Sequence, residues 1–137
     1  MKDLTAALFG HAETTADFTV RVAVSFLLEQ SDPARGRWFW AYHIRVENGS
    51  PRAAQLVSRR WTITDGRGAR HEVAGEGVVG EQPVIEPGDR YDYVSGCPLT
   101  TPTGQMEGAY QMRGDSGRMF EIVVPRFALT APVAARG

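Results

Sequence analysis

One cysteine, three histidines and no surplus of charge of either sign stand in this chain, and each shortage removes a class of protein. Cys97 alone cannot form an internal disulfide and gives no sign of an oxidising compartment, so the cytoplasm is the expected location. His11, His43 and His71 lie far apart and in no ligand spacing, so no resident metal or other cofactor is expected. Fifteen Lys and Arg against sixteen Asp and Glu leave a net charge of −1, which argues against a dedicated nucleic-acid binder whose affinity comes from neutralising phosphates. No apolar run reaches the roughly 18 residues of a membrane span. The first ten residues carry Asp3 and only the short apolar patch Ala6 to Phe9, without the longer apolar core of a secretory signal. Absent too is any long segment of helical period. At 137 residues the chain fits one domain, large enough to bury a core without staples.

What is present is alternation. Phe18, Val20, Val22, Val24, Phe26 and Leu28 occupy every second position, then Trp38, Trp40, Tyr42, Ile44 and Val46 do the same. A period of two marks a strand with one face on a core. Asn48-Gly49-Ser50-Pro51 reads as a turn, because Asn and Gly accept positive φ. From Ala53 to Asp65, Gln55, Val57, Arg59, Trp61 and Ile63 alternate against Leu56, Ser58, Arg60 and Thr62. Asp65-Gly66-Arg67-Gly68 then returns the chain through Arg70 to Val73 as a hairpin. Tyr91 to Val94, Met106 to Met112 and Arg118 to Val124 complete the set, the last reaching Leu129 past Pro125. Ser95 to Gly104, with two prolines and two glycines, reads as irregular. About seven strands joined by Gly/Pro loops predict an all-β antiparallel sandwich over residues 17–129, with a small closed barrel as the competing architecture. Residues 1–16 read as a flexible arm with at most one helical turn, and 130–137 as a disordered tail.

Between the hairpin and Tyr91 lies Gly75-Glu76-Gly77-Val78-Val79-Gly80-Glu81-Gln82-Pro83, with glycines in the spacing of a dinucleotide fingerprint. That fingerprint works when a helix follows, because the helix N-terminus supplies free N–H groups to the pyrophosphate. Pro83 and Pro87 prevent such a helix here. Two readings remain. The amides of Gly77 to Gly80 form an anion nest, with Arg59, Arg60 or Arg70 as the cation; or the glycines permit a bulge or close crossing between strands. Alternation sends Arg59 and Arg60 to opposite faces, so at most one of them reaches the loop.

The blocks Ser58-Arg59-Arg60-Trp61-Thr62-Ile63-Thr64-Asp65, Gly75 to Pro83, Ser95-Gly96-Cys97-Pro98-Leu99 and Gly108-Ala109-Tyr110-Gln111-Met112, in that order, resemble the ApaG domain family over residues 18–129. The resemblance implies a fibronectin type III/immunoglobulin-like sandwich and a link, in bacteria, to cobalt and magnesium homeostasis. It also implies relatives in eukaryotic F-box and DNA-polymerase-interacting proteins, where the domain looks like an interaction module. A nucleotide or pyrophosphate has been the ligand proposed for the glycine motif. This chain departs from the family in having Ala74 where a basic residue often precedes the first glycine.

Catalytic chemistry finds little to stand on. Cys97 has no histidine beside it in sequence, and a lone cysteine ordinarily behaves as a small buried hydrophobe. Glu76, Glu81, Glu86 and Asp89 form an acidic loop rim, and the three tryptophans read as core packing. The expected function is a non-enzymatic interaction domain. Its partner would be a protein, contacted through Gly75, Glu76, Gly77, Val78, Val79, Gly80 and the neighbouring arginines. The alternative is a polyanion-binding protein that takes a nucleotide or pyrophosphate at the same loop. No membrane partner is expected, and strand edges leave room for a homodimer.

Overall fold

The computed structural model describes residues 9–136. Among them are nine strands: β1 (His11–Thr15), β2 (Phe18–Phe26), β3 (Trp38–Asn48), β4 (Ala54–Asp65), β5 (Arg70–Glu76), β6 (Val84–Ile85), β7 (Arg90–Leu99), β8 (Thr103–Gly114) and β9 (Met119–Thr130). Every pairing is antiparallel, in two sheets of order β1-β2-β3-β7 and β5-β4-β8-β9, with the short β6 laid along the start of β4. This is the antiparallel β-sandwich of fibronectin type III/immunoglobulin type. The sheets do not close into a barrel, because β7 and β5 each keep an unpaired edge.

Alternation does most of the work. β3 buries Trp38, Trp40, Tyr42, Ile44, Val46 and Asn48, and β2 buries Phe18, Val20 and Val22 against them. A buried side chain of this size contributes roughly 1.5–3 kcal/mol. Trp61 is the hub on the facing sheet, with its ring 5.5 Å from Tyr42, 6.4 Å from Tyr110 and 6.1 Å from Phe127. On one side the sandwich is shut: β1 lies against β9, and the Val123 N–H donates to Thr15 Oγ1 at 3.2 Å. On the other side β7 and β5 are left apart.

Several expectations are corrected. The stretch read as an arm holds a strand in its second half, β1, hydrogen-bonded to β2; its partly exposed, mostly polar residues gave no apolar alternation. Residues 1–8 of that arm lie outside the described residues. Leu28, placed on the inner face, is 62% exposed, because the chain leaves β2 for a 3-10 turn at Leu28–Gln30. Asn48 takes no positive φ. It is buried, and its amide donates to the Arg52 and Ile85 carbonyls while its Oδ1 accepts from Ser50, so it holds two loops together. Ser95 to Leu99 belong to β7 despite Pro98, since an edge strand tolerates a missing N–H. The tail read as disordered begins inside β9, buries Ala131 and Ala135, and receives the Trp38 indole N–H on the Ala135 carbonyl at 2.6 Å. Gly137 lies outside the described residues. Pro125 sits where two residues of β9 face one of β8, a bulge that spares the ladder its missing donor.

The outer face of the first sheet carries a charge cluster. Asp92 Oδ1 accepts from Arg45 Nε at 2.8 Å and lies 2.9 Å from His43 Nε2. Burial tends to raise this carboxyl's pKa, but its hydrogen-bond partners, the Arg45 guanidinium first and His43 second, outweigh it and hold it below the usual range. A depressed folded-state pKa stabilises above the unfolded value and ceases to do so as pH falls through the folded one. Asp92→Asn is therefore expected to cost about 1 kcal/mol at neutral pH, the group being partly exposed, and nothing near pH ~2. Urea unfolding at the two pH values measures both.

Candidate functional site

The open side between β7 and β5 is a cleft of about 740 Å³, walled by Trp38, Phe39, Tyr42, Trp61, Val73 and Met106, with Arg59 and His71 among its polar lining. It exists because the two edge strands diverge while Tyr42 and Trp61 fill the floor beneath them. Cys97 lines it as well. Burial pushes this thiol up to about 11, so little thiolate forms at neutral pH, and no ion pair lowers it. Burial also raises the Tyr42, Tyr93 and Tyr110 hydroxyls, and the last two share a hydrogen bond inside the core. None of these groups is poised to accept a proton near neutrality. Among the described residues no group of three or more His, Cys, Asp or Glu gathers where a metal ion could sit.

At one end of the cleft stands the glycine segment, and it is a plug with a tight turn. Gly77, at φ +62°, bends the chain; its N–H donates to the Val57 carbonyl at 2.8 Å. Val78 is fully buried in the core. Val78 and Glu81 exchange both backbone hydrogen bonds, 2.8 and 2.9 Å, around an apex of Val79 at φ +44° and Gly80 at φ +83°. Positive φ at both central positions is the type I′ hairpin turn. The returning limb is tied down on both sheets: Gln82 Nε2 donates to the Val57 carbonyl, and the Tyr91 hydroxyl on β7 donates to Glu81 at 2.7 Å. Burial, then Glu81, raises that hydroxyl to about 12. The segment thus straps the two sheets together beside the cleft, next to Arg59 in its lining.

The residues singled out from sequence are only partly brought together. Arg59 lies on the inner face of β4 and passes over Gly75, where a Cβ would sit 3.0 Å from its Nη1. That nitrogen donates to the Glu76 and Gly77 carbonyls at 3.1 and 3.0 Å. The cation therefore meets the oxygens of the loop, the opposite polarity to an anion nest. Arg60 turns to the outer face and pairs with Glu121 at 3.4 Å. Arg70 is at the far end of β5, seven residues from Gly77 along the exposed edge. Of the four amides from Gly77 to Gly80, those of Gly77 and Val78 are committed to backbone carbonyls, which leaves Val79 and Gly80 at the apex. Sequence reasoning missed Val78 as an anchor, Tyr91 as its tie, and the cleft itself. The odd-numbered phase shared by Tyr93 and Cys97 on β7 was the available signal for an inward-facing wall.

The family model for the ApaG domain matches residues 28–114. Protein ApaG of Bradyrhizobium sp. (strain ORS 278) is 52% identical over 122 residues, covering 89% of this chain and 94% of the relative. Protein ApaG of Brucella canis is 48% identical over 126 residues, covering 92% and 97%. Among solved structures, a putative ApaA protein from Bordetella pertussis superposes with a TM-score of 0.83 at 44% identity, over 85% of this chain and 95% of that one. A protein from Archaeoglobus fulgidus, 8% identical with a TM-score of 0.53 over 90% and 99%, shares the fold.

Three substitutions separate the roles within the turn. Gly77→Ala would put a Cβ 2.2 Å from the Glu81 carbonyl oxygen at a positive φ, and is expected to cost more than about 2 kcal/mol. Gly80→Ala meets open space and should cost only the left-handed penalty of about 1 kcal/mol. Val79→Asn, which relieves a β-branched residue at positive φ, should stabilise by about 1 kcal/mol. Chemical denaturation of the three variants gives the order directly.

Proposed function

The chain belongs to the ApaG domain family, and from that premise we propose that it is a non-enzymatic recognition domain whose contact surface is the glycine turn and the mouth of the adjoining cleft. The observation that supports this most is Val79. A β-branched residue at φ +44° is strained by roughly 1–3 kcal/mol, and this one leaves 57% of its surface in solvent. The side chain is not packed into the core, and glycine or asparagine would be easier to hold there. An apolar side chain presented at such a cost suits a partner that covers it. Val84, 58% exposed five residues further along, is a second apolar side chain left in solvent. The rigid sandwich then works as sandwiches commonly do, holding a loop in one fixed pose.

The partner on this reading is a protein met in the cytoplasm, a setting that one buried thiol suits. The family's tie to cobalt and magnesium homeostasis would run through that partner, since among the described residues no group of three or more His, Cys, Asp or Glu gathers where a metal ion could sit. A polyanion is the second reading, and what favours it is the pair of apex amides, Val79 and Gly80, without backbone partners among the described residues. Two charge-assisted bonds of about 1.5–3 kcal/mol each stand against at least ~4 kcal/mol for association. With Arg59 engaged by carbonyls, the balance leaves millimolar binding or weaker.

Two measurements bear on these readings. A photo-crosslinking residue at Val79 or Val84, with one at Val123 on the outer face of β9 as control, should give a discrete protein adduct in cells from the first two positions only; equal labelling from all three contradicts the reading. Calorimetric titration of pyrophosphate, with and without magnesium, should show no saturable heat below millimolar ligand, and a micromolar isotherm would reinstate the polyanion.

A further inference from the structure

We propose that β5 pairs with β5 of a second copy of this chain, joining the two sheets across a twofold axis. This pairing does not depend on what the glycine turn recognises. The four outer strands are not equally protected. β1 and β9 lie against each other, and β7 carries Pro98, which has no N–H to offer. β5 has neither cover nor proline, and six of its seven residues are exposed, Val73 at 41% among them.

The direction of its free groups follows from the ladder. The Asp65 N–H donates to the Ala69 carbonyl and the Gly77 N–H to the Val57 carbonyl, which bracket β5 in one register with β4. Antiparallel pairing alternates strictly, so Ala69, His71, Val73, Gly75 and Gly77 face β4, and the N–H and C=O groups of Arg70, Glu72, Ala74 and Glu76 face outward. A second copy must then oppose even positions to even ones. Of such registers, the one centred on Val73 sets Arg70 against Glu76 twice, Glu72 against Ala74 twice, and Val73 against Val73 in the close pair where side chains touch. Shifting the centre to Glu72 or to Ala74 sets Glu72 against Glu72 or Glu72 against Glu76. Among the described residues Arg70, Glu72 and Glu76 enter no ion pair within the monomer. The strand is thus self-complementary in charge, in hydrogen-bond phase and in its one large apolar side chain, Val73. Arg59 takes one lone pair of the Glu76 carbonyl and leaves the other for the ladder. Because the twofold of an antiparallel ladder runs perpendicular to the sheet, both clefts open on the same side of the joined sheet.

A seven-residue edge predicts a weak dimer, so sedimentation velocity over two decades of concentration is the test. The full chain should pass from monomer to dimer. Arg70→Glu and Glu76→Arg should each weaken the dimer about tenfold or more, and the double reversal should restore it, since each copy then again offers one charge of each sign. Ala74→Pro, which removes an outward N–H and leaves the bonds to β4 intact, should abolish it; if that variant fails to fold, the reversal series decides alone. A chain that stays monomeric throughout, or a dimer indifferent to all the reversals, overturns the proposal.

Discussion

One extra residue in β4 sets the geometry on which the rest depends. At Val57 the register with β8 slips, Leu56 facing Met112 and Ser58 facing Gln111 with nothing opposite Val57. Leu56 and Trp61, five positions apart, consequently both point into the core, where strict alternation would have sent one of them to solvent. The same slip frees the Val57 carbonyl, which accepts both the Gly77 N–H and the Gln82 side-chain amide. Beyond the slip, regular alternation puts Arg59 on the face of Trp61, so the guanidinium reaches inward to the glycine segment that the Val57 carbonyl holds. Without the bulge there would be an amphipathic strand and no strap across the end of the sandwich.

The glycines follow from that arrangement. Gly75 makes way for the Arg59 side chain, Gly77 bends where any Cβ would strike the Glu81 carbonyl, and Gly80 shares the apex with Val79. The buried Val78 is what the bends serve, since it fills the core between the sheets. A motif that in another context receives a pyrophosphate is here turned inside out: its carbonyls hold a cation of the same chain, and half of its amides are spent on the backbone.

The two-residue period carried the sandwich, because β2, β3, β7, β8 and β9 each have one wet and one dry face and the pattern records it. Proline and glycine gave most turns for the right reason, Asp65 to Gly68 among them. What the pattern could not show were features that break it. A bulge leaves no mark in a run such as Gln55-Leu56-Val57-Ser58, where both phases hold an apolar residue. β1 is mostly polar because it is an edge, and Asn48 is buried because its amide serves two carbonyls rather than because of its φ. The candidate arginines were legible as opposites, and the shared phase of Arg59 and Trp61 marked Arg59 as the inward one; that it would meet carbonyl oxygens depended on how the Val57 carbonyl seats the glycine segment. The cleft was hidden because it arises from the separation of two edges far apart in sequence.

The open side of the sandwich gathers the unspent features of the molecule: a strained exposed valine, an apolar cleft, and an unprotected edge. The claim beneath all of these is that the glycine segment is a core plug tied by Val57 and Arg59, not an anion cradle. Amide hydrogen exchange of the native protein tests it most directly. Strong protection at Gly77 and Val78 with rapid exchange at Val79 and Gly80, unchanged by pyrophosphate, is the predicted result; uniform rapid exchange across the four amides, or slowing of all four when pyrophosphate is added, would contradict it.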